Sequence, residues 1–200
     1  MVEPHDPIIL PANLPAPVDD GAADHLTGLA LPSISLPSTQ GGAVDLAVLS
    51  QGKLVLYVYP RTGRPGEAPI PGWDETPGAR GCTPQSCAFR DHHARFVQLG
   101  FAIAGLSAQS SDDQLEAATR LRLPFSLLAD PELRLAAALD LPTFSIAGLT
   151  LYKRLTLIAA AGRIVKVFYP VFPPDEHAVE VRAWLARPAP AAENDGPRGR

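Results

Sequence analysis

Residues 54–60 read LVLYVYP, and residues 81–87 read GCTPQSC. The first is a continuous apolar run, rich in β-branched and aromatic side chains and stopped by Pro60. Such a run suits a strand covered on both faces, as in a sheet with parallel members. The second opens a helix. Proline is tolerated only in a helix's first turn, so Pro84 puts Cys82 at the N-terminus. Phe89, Phe96 and Val97 then recur at helical spacing toward Leu99. The two stretches together predict a buried strand, a loop, and a helix led by a cysteine.

Outward from there, FAIAGLS (101–107) is a second buried strand, and Ser111-Asp112-Asp113-Gln114 fits a capping box opening a helix toward Leu121. Asp130-Pro131 offers an N-cap and a first-turn proline for a short helix through Ala138. LYKRLTLIA (151–159) and RIVKVFY (163–169) flank an Ala-Gly link and predict a β-hairpin, and Asp175 caps a last helix with Ala178, Val181 and Leu185 on one face. Alternation followed by a hairpin predicts an α/β fold, with a mixed central sheet flanked by helices. Residues 1–26, with five prolines and four aspartates, read as an irregular arm, and 188–200 as a disordered tail. One domain is expected over 27–187.

Composition narrows the function. Of 200 residues, 46% are hydrophobic and 19% charged, enough apolar material for a packed core. Lys+Arg 17 against Asp+Glu 21 gives a net charge of −4, which argues against a phosphate-driven nucleic-acid binder. No apolar run approaches the roughly 20 residues of a membrane helix. The first residues, MVEPHDPIILPANLP, carry acids and prolines where a leader would carry basic and apolar ones. A cytoplasmic protein with no nucleic-acid and no membrane partner is expected.

Cys82 and Cys87 are the only cysteines, too few for a secreted disulfide scaffold. On spacing alone two readings stay open: a pair of small buried hydrophobes, or a redox pair. Position favours chemistry at Cys82. Free amide N–H groups and the positive end of the helix dipole favour a thiolate there, Arg80 lies two residues upstream, and the thiolate is the nucleophilic form. On an ideal helix, i and i+5 are about 8.6 Å apart, beyond the roughly 7 Å a disulfide allows. Joining the two therefore requires the first turns to unwind, which suggests a redox cycle with a local conformational change. The C-x4-C spacing departs from a CxxC oxidoreductase. His92 and His93 lie close by, yet they do not converge with the cysteines on one helix, so they read as helix face and no metal is expected.

VLYVYP (55–60) followed by GCTPQSCAFRD (81–91) resembles the peroxiredoxin superfamily. The branch most similar is the bacterioferritin-comigratory or Q-type, whose signature is TPGCT-x-Q-x-C-x-x-RD after a strand ending in YP. The resemblance runs over roughly 27–187 and takes in GLSAQS (105–110), PFSLLADP (124–131) and KRLTLI. It implies a thioredoxin-like fold and a thiol peroxidase acting on hydrogen peroxide or organic hydroperoxides, with no metal or organic cofactor. Cys82 matches the peroxidatic cysteine, oxidised to sulfenic acid, and Cys87 the intrachain resolving cysteine that condenses with it. A thioredoxin or glutaredoxin-like dithiol would reduce the disulfide. Arg154 matches the arginine that holds the thiolate and orients peroxide, and Gln85 a polar position of the motif.

This chain also departs from the pattern. The usual order is Pro-x-x-x-Thr-x-x-Cys, but the residue three before Cys82 is Ala79, and Pro60 stands 22 positions upstream. Residues 61–81 form a Gly/Pro-rich insertion, in which Thr76 is the candidate replacement hydroxyl. With Trp73, the insertion is read as a lid or partner surface, or as a passive loop. The rival function is a peroxide or redox sensor using the same dithiol. A monomer and a homodimer both fit.

Overall fold

The computed structural model describes residues 7–11 and 13–187; the tail expected at 188–200 lies outside the described residues, as does the start of the arm. In chain order come a 3-10 turn (Asp24–Leu26), β1 (Ser35–Pro37), β2 (Ala43–Asp45), α1 (Leu46–Leu49), β3 (Lys53–Val58) and α2 (Cys82–Gln98). Then follow β4 (Phe101–Ser107), α3 (Ser111–Leu121), β5 (Ser126–Ala129), α4 (Arg134–Leu139), β6 (Thr143–Ile146) and β7 (Leu149–Tyr152). The chain closes with β8 (Leu155–Ala160), β9 (Arg163–Phe168) and α5 (His177–Leu185).

The central sheet has the order β5-β4-β3-β8-β9. β3, β4 and β5 run parallel, while β8 is antiparallel to β3 and β9 to β8, so the sheet is mixed as expected. β3 is covered on both faces. Its Val55 and Tyr57, with Tyr59 just beyond, pack with Phe89 and Phe96 of α2, Ala117 of α3, and Ala178 and Val181 of α5. Leu54, Leu56 and Val58 pack on the opposite side with Leu135 and Leu139 of α4, and with Leu26, Leu36 and Leu46. The period-2 alternation of side chains along a strand thus sends two apolar sets into two layers. α2 is thereby pressed onto the sheet with its first residue above the C-terminal end of β3.

Several boundaries differ from the sequence reading, each for a local reason. The cap of α3 is Ser110, one residue earlier: its hydroxyl accepts from the Asp113 amide at 3.2 Å and donates to the Asp113 carboxylate at 2.9 Å. The third helix starts at Arg134 and not at Pro131. Leu133 takes a left-handed backbone (φ 54°), and the Asp130 carboxylate accepts from the amides of Arg134 at 3.0 Å and Leu135 at 2.9 Å. The cap position of α5 is Glu176, not Asp175, and carries no side-chain cap bond.

The run 151–159 is not one strand. It breaks at Lys153-Arg154: Tyr152 ends β7, which pairs with β6, and Leu155 begins β8 in the main sheet. The β6–β7 and β1–β2 hairpins were not foreseen. The arm joins the core, with Ala23 and Leu26 buried and Asp20 bonded to Lys153 (2.6 Å) and Tyr169 (2.7 Å).

Candidate active site

Cys82 is the first residue of α2, and Gly81 caps it with a left-handed backbone (φ 101°). A Cβ at Gly81 would sit 2.3 Å from Pro174 Cγ, so both the conformation and the space demand glycine. The Gly81 carbonyl accepts from the Gln85 amide at 3.0 Å, closing the first turn. Cys82 is 3% exposed, and its thiol donates to the Ala79 carbonyl at 3.6 Å.

Arg154 organises the site. It sits in the break between β7 and β8, is itself buried, and reaches the start of α2 from the sheet. Its Nη2 donates to Cys82 Sγ at 3.2 Å and to the carbonyls of Gly78 (3.2 Å), Ala79 (3.2 Å) and Arg80 (2.9 Å). Its Nη1 donates to Gln85 Oε1. One guanidinium therefore fastens the loop that precedes the nucleophile and also touches the nucleophile. An Nη2 with two hydrogens shares them among four acceptors. A deprotonated Cys82 would be the strongest of these, because hydrogen bonds to charged groups are roughly twice as strong as neutral ones.

Cys82, Gln85 and Arg154 are thus brought together. Thr76 is not. Its hydroxyl donates to the Gly72 carbonyl at 2.7 Å, and it lines, together with Arg154, Phe144 and Tyr169, a second cavity that Cys82 does not line. Arg80 also does something other than expected: its side chain pairs with Asp74 at 2.9 Å and donates to the Ile9 carbonyl at 3.2 Å. Sequence reasoning passed over Thr83. It follows Cys82 within the quoted motif, lines the same cavity, and keeps a buried hydroxyl with no hydrogen-bond partner among the described residues. Gln85 Nε2 and Arg154 Nε are likewise buried without a partner among the described residues. Buried polar atoms are nearly always bonded, so these atoms leave hydrogen-bonding capacity near one thiol that a ligand or water could use.

Cys87 lies five residues along α2, and both cysteines are free thiols. Burial pushes the Cys87 thiol up from its ordinary value, with the Arg90 charge opposing. It is therefore held protonated at neutral pH, unlike a nucleophile poised for peroxide.

The cavity beside Cys82 is about 60 Å³ and opens to solvent. The segment after Pro60 builds its wall, with Arg61, Arg64, Ile70 and Trp73. Trp73 packs on Ala79, Leu151 and Phe144, which turns the expected insertion back onto the fold. Thr62 anchors its start, donating from its amide to Gln109 Oε1 at 2.7 Å. The arm completes the enclosure: Pro7 lines the cavity, and Leu10 approaches Gly81.

Comparison with known proteins finds relatives by sequence and by fold. The Redoxin family profile matches residues 26–182. The chain is 31% identical over 155 residues to peroxiredoxin Q, chloroplastic, of Sedum lineare, covering 77% of this chain and 74% of that one. It is 32% identical over 143 residues to peroxiredoxin Bcp of Bacillus subtilis, covering 70% and 82%. The crystal structure of peroxidoxin BcpB from Mycobacterium tuberculosis superposes with a TM-score of 0.63 at 28% identity, over 80% of this chain and 97% of that one. A thioredoxin-like fold with a cysteine at the head of its first long helix, and relatives of this kind on both comparisons, lead to one conclusion: the chain belongs to the Redoxin family, in its peroxiredoxin Q/Bcp group.

Proposed function

We propose that the protein is a thiol peroxidase with Cys82 as peroxidatic and Cys87 as resolving cysteine. The observation that carries the reading is the Arg154 guanidinium, 3.2 Å from Cys82 Sγ at a helix N-terminus. A fixed cation and the helix dipole both favour negative charge on that sulfur.

In the first step the Cys82 thiolate attacks one peroxide oxygen. The S–O bond forms and the O–O bond breaks. The departing oxygen leaves with the electron pair and takes a proton, giving water or an alcohol, while Cys82 becomes sulfenic acid. Charge moves from sulfur to the leaving oxygen, and donors already in place stabilise it without reorganisation. Arg154 and the hydroxyl of Thr83 are the groups that serve here; Gln85 positions Arg154. Next, the Cys87 thiol condenses with the sulfenic acid, forming S–S and releasing water. The start of α2 must unwind for this, since i and i+5 on an intact helix stand about 8.6 Å apart. A thioredoxin or glutaredoxin-like dithiol then reduces the disulfide by exchange, as suits two free thiols in a reducing compartment such as the cytoplasm.

The test is peroxide consumption with a thioredoxin system. Cys82→Ser is expected to abolish it. Cys87→Ser is expected to react once, then to over-oxidise or form intermolecular disulfides. Turnover retained in the Cys82 variant would refute the assignment, and unaltered steady turnover in the Cys87 variant would refute intrachain resolution. Ala79, in place of a hydroxyl residue, favours the alternative of a redox sensor. A sensor would oxidise once per molecule and would not cycle with the reductant.

A further inference from the structure

Joining Cys82 to Cys87 takes the first turn of α2 apart, and side chains from across the fold hold that turn in place. Arg154 on Gln85 is one such tether, but its guanidinium also touches the Cys82 sulfur, so it cannot be varied apart from the first step. A separate tether comes from β3. Tyr57 donates its hydroxyl to Ser86 Oγ at 3.2 Å, and both residues are fully buried. Ser86 stands four residues after Cys82 and directly before Cys87. The Tyr57 ring itself stacks on Phe89, further along α2, with centroids 4.6 Å apart and planes 17° from parallel. The hydroxyl thus grips the turn that must open, and the ring grips the part that can stay. The sheet makes room for this arrangement. Gly105 is the partner of Tyr57 in the β3–β4 register, and a Cβ there would lie 2.7 Å from the Tyr57 hydroxyl. Burial pushes the phenol up, with the bond to Ser86 opposing, so the hydroxyl stays protonated and remains a donor.

We propose that Tyr57 is a positioning residue: its hydroxyl, through Ser86, holds the head of α2 closed and so sets how fast Cys87 reaches the oxidised Cys82. This rests on the peroxidase reading above and adds a residue to its second step. With α2 wound, Cys82 stays beside Arg154, where it meets peroxide. Once the sulfenic acid has formed, the head unwinds, the Cys87 thiol attacks the sulfenic sulfur, S–S forms and water leaves. Unwinding carries Ser86 off the sheet and breaks its bond to Tyr57, so the bond lengthens the life of the sulfenic acid. A sulfenic acid that waits can react with a second peroxide and pass to sulfinic acid, releasing water or an alcohol. One buried hydroxyl thereby divides the oxidised protein between recycling and over-oxidation.

The experiment follows the reduced full chain after mixing with hydrogen peroxide, without any reductant. Quenched samples and intact mass separate dithiol, sulfenic, disulfide and sulfinic forms, which gives one rate constant for thiol loss and another for disulfide closure. Tyr57→Phe keeps the ring and its stack and removes only the hydroxyl. It is expected to close the disulfide about fivefold faster, the size of one neutral hydrogen bond, with thiol loss within about twofold of the parent. The sulfinic fraction at high peroxide should fall accordingly. Ser86→Ala should show the same split. Alanine is the better helix former, so its own propensity would slow unwinding, and acceleration there isolates the lost bond. The double variant should be no faster than either single one, because one bond is shared and neither partner is left orphaned. Unchanged closure in both single variants, or accelerations that multiply in the double one, would overturn the proposal alone. So would thiol loss slowed to a similar degree, the mark of a generally loosened core. Survival of the Cys82 thiol, or no disulfide in the parent protein, would overturn the peroxidase reading and this inference with it.

Discussion

Arg154 ties two functions into one side chain. It holds the loop 78–80 through three carbonyls, and it donates to the sulfur that the loop presents. Lysine cannot imitate that, since a single ammonium lacks the planar fork that reaches Gln85 and Cys82 together. Arg154→Gln is expected to slow Cys82 oxidation by about a hundredfold or more, the usual cost of losing a preorganised donor. Arg154→Lys should recover only part of that, as read by stopped-flow thiol loss in variants first shown to be folded. The two threonines offer a sharper contrast. Thr83→Val should slow the same step by about tenfold, the worth of one hydrogen bond at roughly 1.4 kcal/mol per decade, while Thr76→Val should leave it within about twofold. Equal effects from the two would place the missing hydroxyl elsewhere. The placement of Cys82, Gln85 and Cys87 along one helix was legible because they share one motif. Arg154 was accessible only through resemblance, being 72 residues from Cys82. Thr83 was in plain view, but nothing in a sequence says which hydroxyls will lack a partner.

At the scale of elements, the chain told most where periodicity was strong and least where capping or edge pairing decided. β3 and β4 are apolar on both faces, and α2 has Pro84 in its first turn, so these three were readable. The β1–β2 hairpin is three residues on each side and contains Pro37, which hides it from any pattern of alternation. β6 is short and carries no strong alternation, and the end of β7 runs on into β8 as one apolar stretch broken only at Lys153-Arg154. That break is where the buried Arg154 side chain reaches the start of α2. The start of α2 makes a further prediction. Gly81→Ala meets both a left-handed φ and Pro174 at 2.3 Å, so it should cost about 1–3 kcal/mol and should also shift Cys82 relative to Arg154. A lowered thermal midpoint together with slowed thiol oxidation would bear this out; normal values for both would show that the loop adapts freely.

Across the whole molecule, one buried histidine couples the sheet to α5. His177 Nε2 lies 2.9 Å from Thr156 Oγ1 of β8, and Nδ1 lies 2.9 Å from Glu180 Oε2. Burial lowers its pKa from the usual value, with Glu180 opposing and Arg154 adding to the effect. Its folded pKa is therefore depressed below the unfolded value of about 6.5. The unfolded chain binds the extra proton first, so the stability this group contributes is present above about pH 6.5 and is lost as pH falls through the folded pKa. Urea midpoints should decline below pH 6.5 in the parent protein, and His177→Gln should show a flatter slope over that window. An unchanged slope would assign the decline to carboxylates instead. The fold class was legible at this scale, since alternation and the closing hairpin fix a mixed sheet. The arm was not: Leu26 in the core, Pro7 at the cavity and Asp20 on Tyr169 are contacts between distant parts of the chain.

The clasp of the arm also has a bearing on how the protein is made. Asp20 and its partner Tyr169 are 149 positions apart, and Lys153 joins the same group. On a ribosome adding 5–20 residues per second, about 7 to 30 s pass between synthesis of the first and the last of these. During that interval Cys82 has already been translated, while its hydrogen-bond partner Arg154 and the clasp residues Lys153 and Tyr169 have not. A nascent chain thus carries its thiol without the guanidinium that contacts it in the folded protein, and that contact is made only when the final strands and helix close the sheet.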